Sequence, residues 1–322
     1  MQDDAGLRAG VRSGNTTHAP PGPPLPTTCT SAHRSWSRLQ NCTIRAQIAY
    51  LPQKMETTMT RMPTYFISHG GGPWPWMPDW RAMFRNLEAS FVQMVKDLPE
   101  RPKAILMISG HWEDASFAVM SSPNPPMVYD YSGFPPETFQ IVYPSPGAPD
   151  LAARAADLIR AAGLPVRLDP NQGYDHGTFV PAFVMFPDAS VPLFQVSLRH
   201  GYSPAEHFAL GRALAPLRDE GVLILGSGLS YHNLRLFGPG AKIPSEAFDA
   251  WLAETLAKPA ADRTQALLDW ESAPYARTCH KEEDHFAPIF AALGAAEGEA
   301  ATMVYHDTNL FGGVTASSYR FG

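Results

Sequence analysis

PTYFISHGGGP, residues 63–73, is the stretch on which the fold turns: a short apolar run, then His69, then three consecutive glycines. Tyr65, Phe66 and Ile67 read as a buried strand, and Gly70, Gly71 and Gly72 release the backbone into a sharp turn. His69 is therefore expected at the carboxyl end of a strand, where open α/β sheets place their chemistry. The design recurs twice. AILMISGHW carries His111 past a strand at about 104–108, and VLILGSGLSYHN carries His232 past one at about 222–225. A fourth histidine, His176, lies in YDHGTFVP, where a turn opens into a helix.

Outward from this stretch, strands and helices alternate. WRAMFRNLEASFVQMVKDL spaces Met83, Leu87, Phe91 and Met94 at helical intervals. DLAARAADLIRAAGL reads as a helix stopped by Gly163 and Pro165, and SPAEHFALGRALAPLRDEG as one capped by Ser203 with Pro204 in its first turn. Further helices are expected at about 245–257, 262–270 and 284–296, and strands at FAVMSS, near 166–168, at VPLFQVSL and at ATMVYH, which completes the chain. A polar and aromatic loop, roughly 122–148, has YDYSGFP at its centre. The alternation predicts an α/β fold: a single domain over 63–322 with a mostly parallel central sheet flanked by helices. Residues 1–62 are different. They are rich in Pro, Ser and Thr and carry no hydrophobic period, so they read as a disordered extension or as a start assigned upstream of Met55, Met59 or Met62; an organelle transit peptide is the other reading.

Composition narrows the function. A formal charge of −6 argues against nucleic acid or anionic membrane as the main partner, and no apolar run reaches the length of a spanning helix. Cys29, Cys42 and Cys279 are too few and too scattered for a disulfide framework, which points to a reducing, cytoplasmic setting. HGGGP lacks the Lys and Ser or Thr of a phosphate-binding loop, and GSGLS lacks the spacing of a nucleophile elbow.

The histidines carry the chemistry. Neutral imidazole is a common ligand of zinc and iron, and several such groups converging from neighbouring strand ends hold a divalent ion with positions left open. Any one histidine is more often a hydrogen-bonded core residue. His69, His111 and His232 repeat a single geometric prediction, and it is the repetition that favours a metal site. Beside His176, Asp175 is placed either to orient an imidazole or to cap the helix. In CHKEEDHFAPIF, Asp284 lies between His280 and His285, as a helix-capping acid or as a carboxylate ligand; two histidines and a carboxylate is the ligand set of non-haem Fe(II) oxygenases.

SHGGGP, SGHWE, YDYSGFPPETFQIVYPSPG, YDHGTFVP, GSGLSYHN and HKEEDHFAPIFAALGAA, in this order, resemble the DOPA-dioxygenase branch of the class III extradiol ring-cleavage dioxygenases, relatives of the protocatechuate 4,5-dioxygenase β subunit. The resemblance covers about 63–322. It implies a mononuclear non-haem metal, Fe(II) as the working ion with Zn(II) also seen in such sites, and O2-dependent opening of a catechol ring. It implies His69 and His111 as ligands, His232 as a further ligand or reserve acid and base, and His176 as the acid and base or an additional ligand. Asp284 stands where the protocatechuate relatives use a glutamate ligand, one methylene longer. Tyr129, Tyr131 and His285 are read as substrate-binding groups, with Phe134 in the ring pocket. The sequence leaves open which catechol is used and the oligomeric state. A zinc-dependent hydrolase and a non-catalytic metal-binding protein on the same fold are the alternatives.

Overall fold

The structure, a computed structural model, describes residues 60–322. The expectations for the leading segment fall, up to residue 59, outside the described residues. The strands are β1 (Thr64–Ser68), β2 (Ala104–Ser109), β3 (Glu113–Asp114), β4 (Phe117–Met120), β5 (Val166–Asp169), β6 (Leu193–Gln195), β7 (Leu198–Arg199), β8 (Val222–Gly228), β9 (Ala301–Leu310) and β10 (Val314–Phe321). The helices are α1 (Pro78–Met83), α2 (Arg85–Lys96), α3 (Pro149–Ala161), α4 (His176–Met185), α5 (Pro204–Leu214), α6 (Pro216–Asp219), α7 (Lys242–Leu256), α8 (Ala260–Leu268), α9 (Ala276–Cys279) and α10 (Pro288–Gly294).

Six strands form the main sheet in the order β6-β2-β8-β1-β10-β9. β1, β2 and β8 are buried at every position, and their near-continuous apolar runs are what parallel strands covered on both faces require. Pairings from β6 through β2 and β8 to β1 are parallel, whereas β10 runs antiparallel to both β1 and β9. The sheet is thus mixed, with a parallel half and an antiparallel hairpin at its edge. β10 is the strand that hydrophobic patterning misses. Its Ser317 and Ser318 are buried, and their hydroxyls are satisfied by neighbouring strands: Ser68 N–H donates to Ser318 Oγ at 2.9 Å, and Ser317 Oγ lies 3.0 Å from His306 Nδ1. β3 pairs with β7 and β4 with β5 in two small parallel sheets.

α10 packs on β8 and β1 and against α5. Ile289, Phe290 and Leu293 are fully buried there, each worth about 1.5–3 kcal/mol on leaving water. α5 begins as its sequence predicts, with the Ser203 side chain accepting from Glu206 N–H and Pro204 in the first turn. The helix expected from about Asp284 instead starts at Pro288. Leu229 N–H takes the His285 carbonyl at 2.9 Å, which draws residue 285 out of helical bonding, and Pro288 suits the first turn because it lacks an N–H. That late start is what leaves the His285 side chain free to enter the site.

Candidate metal centre and active site

β2, β8 and β1 are neighbours in the sheet, and their carboxyl ends deliver the site. His69 follows β1, its N–H bonded to Gly228 O at 3.1 Å; His111 follows β2 after Gly110, whose N–H bonds Ser227 O at 2.9 Å. The glycine run turns as expected, with φ of 88° at Gly70 and 52° at Gly72. Gly228 has a different task. A Cβ there would lie 2.0 Å from His285 O, so only glycine lets the 284–285 segment approach the strand end. His176 opens α4, and His232 lies in the loop after β8.

Three ring nitrogens meet. His111 Nε2 lies 3.2 Å from His69 Nε2 and 3.1 Å from His285 Nε2. On the far side of each ring, Nδ1 faces an oxygen. Ser227 Oγ lies 3.1 Å from His69 Nδ1 and donates its own proton to Gly177 O, so it accepts the proton of His69 Nδ1. His111 Nδ1 is 3.0 Å from Asp130 Oδ2. His285 Nδ1 is 2.9 Å from Asp284 Oδ2, off the hydrogen-bonding line. With the protons on Nδ1, three Nε2 lone pairs point at one another. That arrangement repels itself unless a cation sits among them. Bonds of about 2.1 Å to a metal, at angles between octahedral and tetrahedral, put neighbouring nitrogens roughly 3.0–3.4 Å apart, which the observed spacing matches. The donor set therefore fits a divalent metal.

Electrostatics favours the same state. Burial, followed by the charges of the neighbouring histidines, pushes His69 and His285 well below the ordinary imidazole value, so both are neutral and ready to ligate at neutral pH. Burial alone would raise Asp130 and Asp284. The donors of His111 and His176 at the first, and the close imidazoles of His232 and His285 beside the second, outweigh it and keep both carboxylates ionised. Groups of His111, Asp130 and His176, and of His232, Asp284 and His285, are also close enough to hold an ion. In both, the carboxylate faces Nδ1 atoms on the far side of the rings from the three Nε2 atoms.

Asp130 is the functional residue that sequence reasoning missed. Its Oδ1 accepts both from His176 Nδ1, at 2.9 Å, and from His176 N–H, at 3.0 Å, while Oδ2 takes His111. The loop carrying it is brought there by a bridge between Met127 and Tyr174. The signal lay in its position between Tyr129 and Tyr131 in YDYSGFP. Asp175, by contrast, does not orient His176 and makes no side-chain cap. It accepts from Ser109 Oγ at 2.7 Å and is raised to about 6 by burial and by the charge of Asp130.

His232 stays outside the three-nitrogen cluster. Its ring stacks on that of His285, with centroids 3.4 Å apart, and its Nδ1 is 3.6 Å from Asp284 Oδ1. Asp284 thus sits behind the two rings, on their Nδ1 side. Tyr129 and Tyr131 use their hydroxyls on Ile141 O and Thr138 O, and of the two only Tyr131 lines the cavity. His280 is fully buried against Ser230 O, with burial taking it down to about 3, and His207 is buried on Ser203 O; both are structural. The cavity, about 410 Å³, is lined by all five clustered histidines together with Phe134, Phe237 and Phe311. His176 Nε2 makes no hydrogen bond and is accessible from it.

Residues 64–322 match the family described as the catalytic LigB subunit of aromatic ring-opening dioxygenase. A dioxygenase, tasH, of Hapsidospora irregularis is 37% identical over 83% of this chain and 87% of its own length. The 4,5-DOPA dioxygenase extradiol of Beta vulgaris is 36% identical over 80% of this chain and 96% of its own, and that of Escherichia coli K12 is 31% identical over 82% and 96%. A solved structure of an uncharacterized Escherichia coli K12 protein superposes with a TM-score of 0.66 at 28% identity, covering 81% of this chain and 100% of that one.

Proposed function

The chain belongs to the LigB family of aromatic ring-opening dioxygenases, metal-dependent extradiol enzymes that join a small aromatic to O2, and from that premise we propose how its residues divide the work. His69, His111 and His285 hold the metal through Nε2, His176 moves protons, and His232 assists. The observation that carries this reading is the convergence of three Nε2 atoms whose Nδ1 atoms all face oxygens. The working ion is Fe(II). Bound there, it supplies open positions and redox chemistry through which a catechol and O2 react. The substrate is a catechol-type ring, the class to which DOPA, named for two of the relatives, belongs. A cytoplasmic setting keeps such an ion reduced and the buried Cys279 a thiol.

Asp130 holds the proton of His176 on Nδ1, so Nε2 offers its lone pair to a catechol hydroxyl in the cavity. The imidazolium formed by taking that proton is stabilised by the same carboxylate and can return the proton to a product oxygen. His232, with Asp284 at its Nδ1, presents its other nitrogen toward the second hydroxyl. Tyr131 contributes a ring face, its hydroxyl being already bonded.

Metal content and turnover of three variants test the division. His285→Ala is expected to lose the one ion per chain. His232→Ala and His176→Ala are expected to keep it and lose turnover. If His285→Ala retains the ion at full affinity while His232→Ala releases it, the ligand assignment is overturned.

A further inference from the structure

Among the described residues, the cavity is lined by no lysine, no arginine and no acid except Asp130, which His111 and His176 already occupy. The two lining tyrosines use their hydroxyls on backbone oxygens, Tyr131 on Thr138 and Tyr231 on Leu236. Ser132 is the remaining hydroxyl, and it is exposed. Opposite the histidines the wall is aromatic and aliphatic: Trp80 lies 5.3 Å from Phe134 and 6.4 Å from Phe311, and Phe237 lies 4.8 Å from Phe311, between ring centroids. At the rim, Leu234 is 67% exposed and Phe237 39%, so the apolar lining continues to the surface. Arg235, beside Leu234, is exposed and does not line the cavity.

Resting on the ring-opening reading, we infer that the substrate is a catechol whose ring substituent is neutral and apolar, and not one that carries an amino-acid head. The volume of about 410 Å³ lies within the roughly 300–1,000 Å³ of clefts that take drug-sized ligands, so a substituent as well as a ring is accommodated. An ammonium and a carboxylate brought into this lining would lose water and find no lysine, arginine or uncommitted carboxylate to pair with, a cost that a neutral chain escapes. An alkyl or aryl group gains from every methylene it buries against the phenyl rings.

The test separates binding from turnover. Dissociation constants of the full-length Fe(II) protein are measured by calorimetry under nitrogen for catechol, 4-methylcatechol, 4-propylcatechol, 3,4-dihydroxyphenylpropionate and DOPA; kcat/KM is then measured in air. Affinity is expected to rise about threefold to fourfold per methylene along the alkyl series until the cavity fills. DOPA is expected to bind at least tenfold more weakly than 4-propylcatechol, and Arg235→Gln to leave that ratio unchanged. Leu234→Arg, at an exposed rim position, is expected to narrow the gap for the carboxylated propionate. DOPA binding as tightly as 4-propylcatechol, or a ratio that shifts with Arg235→Gln, overturns the inference. Tight binding of alkylcatechols without O2 uptake upholds it while refuting the ring-opening reading, so the two fail separately.

Discussion

Asp130→Asn removes one oxygen and almost no volume, and the geometry says which partner suffers. Oδ1 of Asp130 receives two donors from His176, while Oδ2 receives His111 Nδ1. An asparagine that keeps its carbonyl oxygen toward His176 must aim its amide nitrogen at His111. Two donors then face each other at about 3 Å, and His111 escapes only by moving its proton to Nε2, the atom that points into the three-nitrogen cluster. Losing a carboxylate that orients a metal-bound histidine typically costs about 10–100-fold in metal affinity or activity. That corresponds to about 1.4–2.7 kcal/mol. The opposite orientation of the amide spoils the tautomer of His176 instead. The assay is competition for Fe(II) against a chelator of known affinity, alongside kcat at saturating metal. At least one of the two is expected to fall tenfold or more, with the thermal midpoint nearly unchanged. Both parameters staying within twofold of the parent would refute the role given to Asp130.

Three other perturbations read different parts of the structure. Gly228→Ala places a methyl 2.0 Å from His285 O, so it should cost about 1–3 kcal/mol and lower the ion content by displacing His285, whereas Gly298→Ala, with nothing near its added Cβ, should stay within about 0.5 kcal/mol; thermal melts and metal analysis check both. Arg218→Met leaves Met62 O and Ala295 O without their buried donor and should cost about 2–3 kcal/mol in a urea titration. The hydrogen bond from Arg218 holds Glu299 below its ordinary value of 4.5, so in the parent this pair's stabilisation is present above 4.5 and is lost as pH falls through the lower folded-state value; the acid sensitivity should weaken in Arg218→Met. His176→Ala should lower kcat by about 10²–10⁴-fold at unchanged ion content, the range for removing a general acid and base.

The parallel half of the sheet is legible because strands buried on both faces must be apolar throughout, as TYFIS, AILMIS and VLIL are, and because histidine directly after such a strand has one place to go. His69 and His111 are read from that alone. β10 escapes because its buried serine hydroxyls hydrogen-bond to the neighbouring strands, Ser318 to β1 and Ser317 to β9, instead of packing as hydrophobes, so its sequence looks like a loop. The histidine cluster is less legible. His232 follows a strand as His69 does, yet its chain turns to pair with His280 and lays the ring on His285. His285 comes from no strand end. A long-range contact at Gly228 and Leu229 brings it in, and local patterning carries no trace of such a contact. Asp130 is hidden for a related reason: its partners lie in β2's exit turn and at the start of α4, and the Met127–Tyr174 bridge that joins them has no local signature.

The central claim is that the three converging imidazoles hold an ion at which a catechol ring is opened by O2. Oxygen consumption by Fe(II)-loaded protein, followed at an electrode while 4-methylcatechol is added in known amounts, tests it most directly. One O2 consumed for each catechol, with a yellow ring-fission product, and none with His111→Ala or with Zn(II) in place of Fe(II), is the predicted result. A protein that retains one ion per chain and consumes no O2 with any catechol would contradict it.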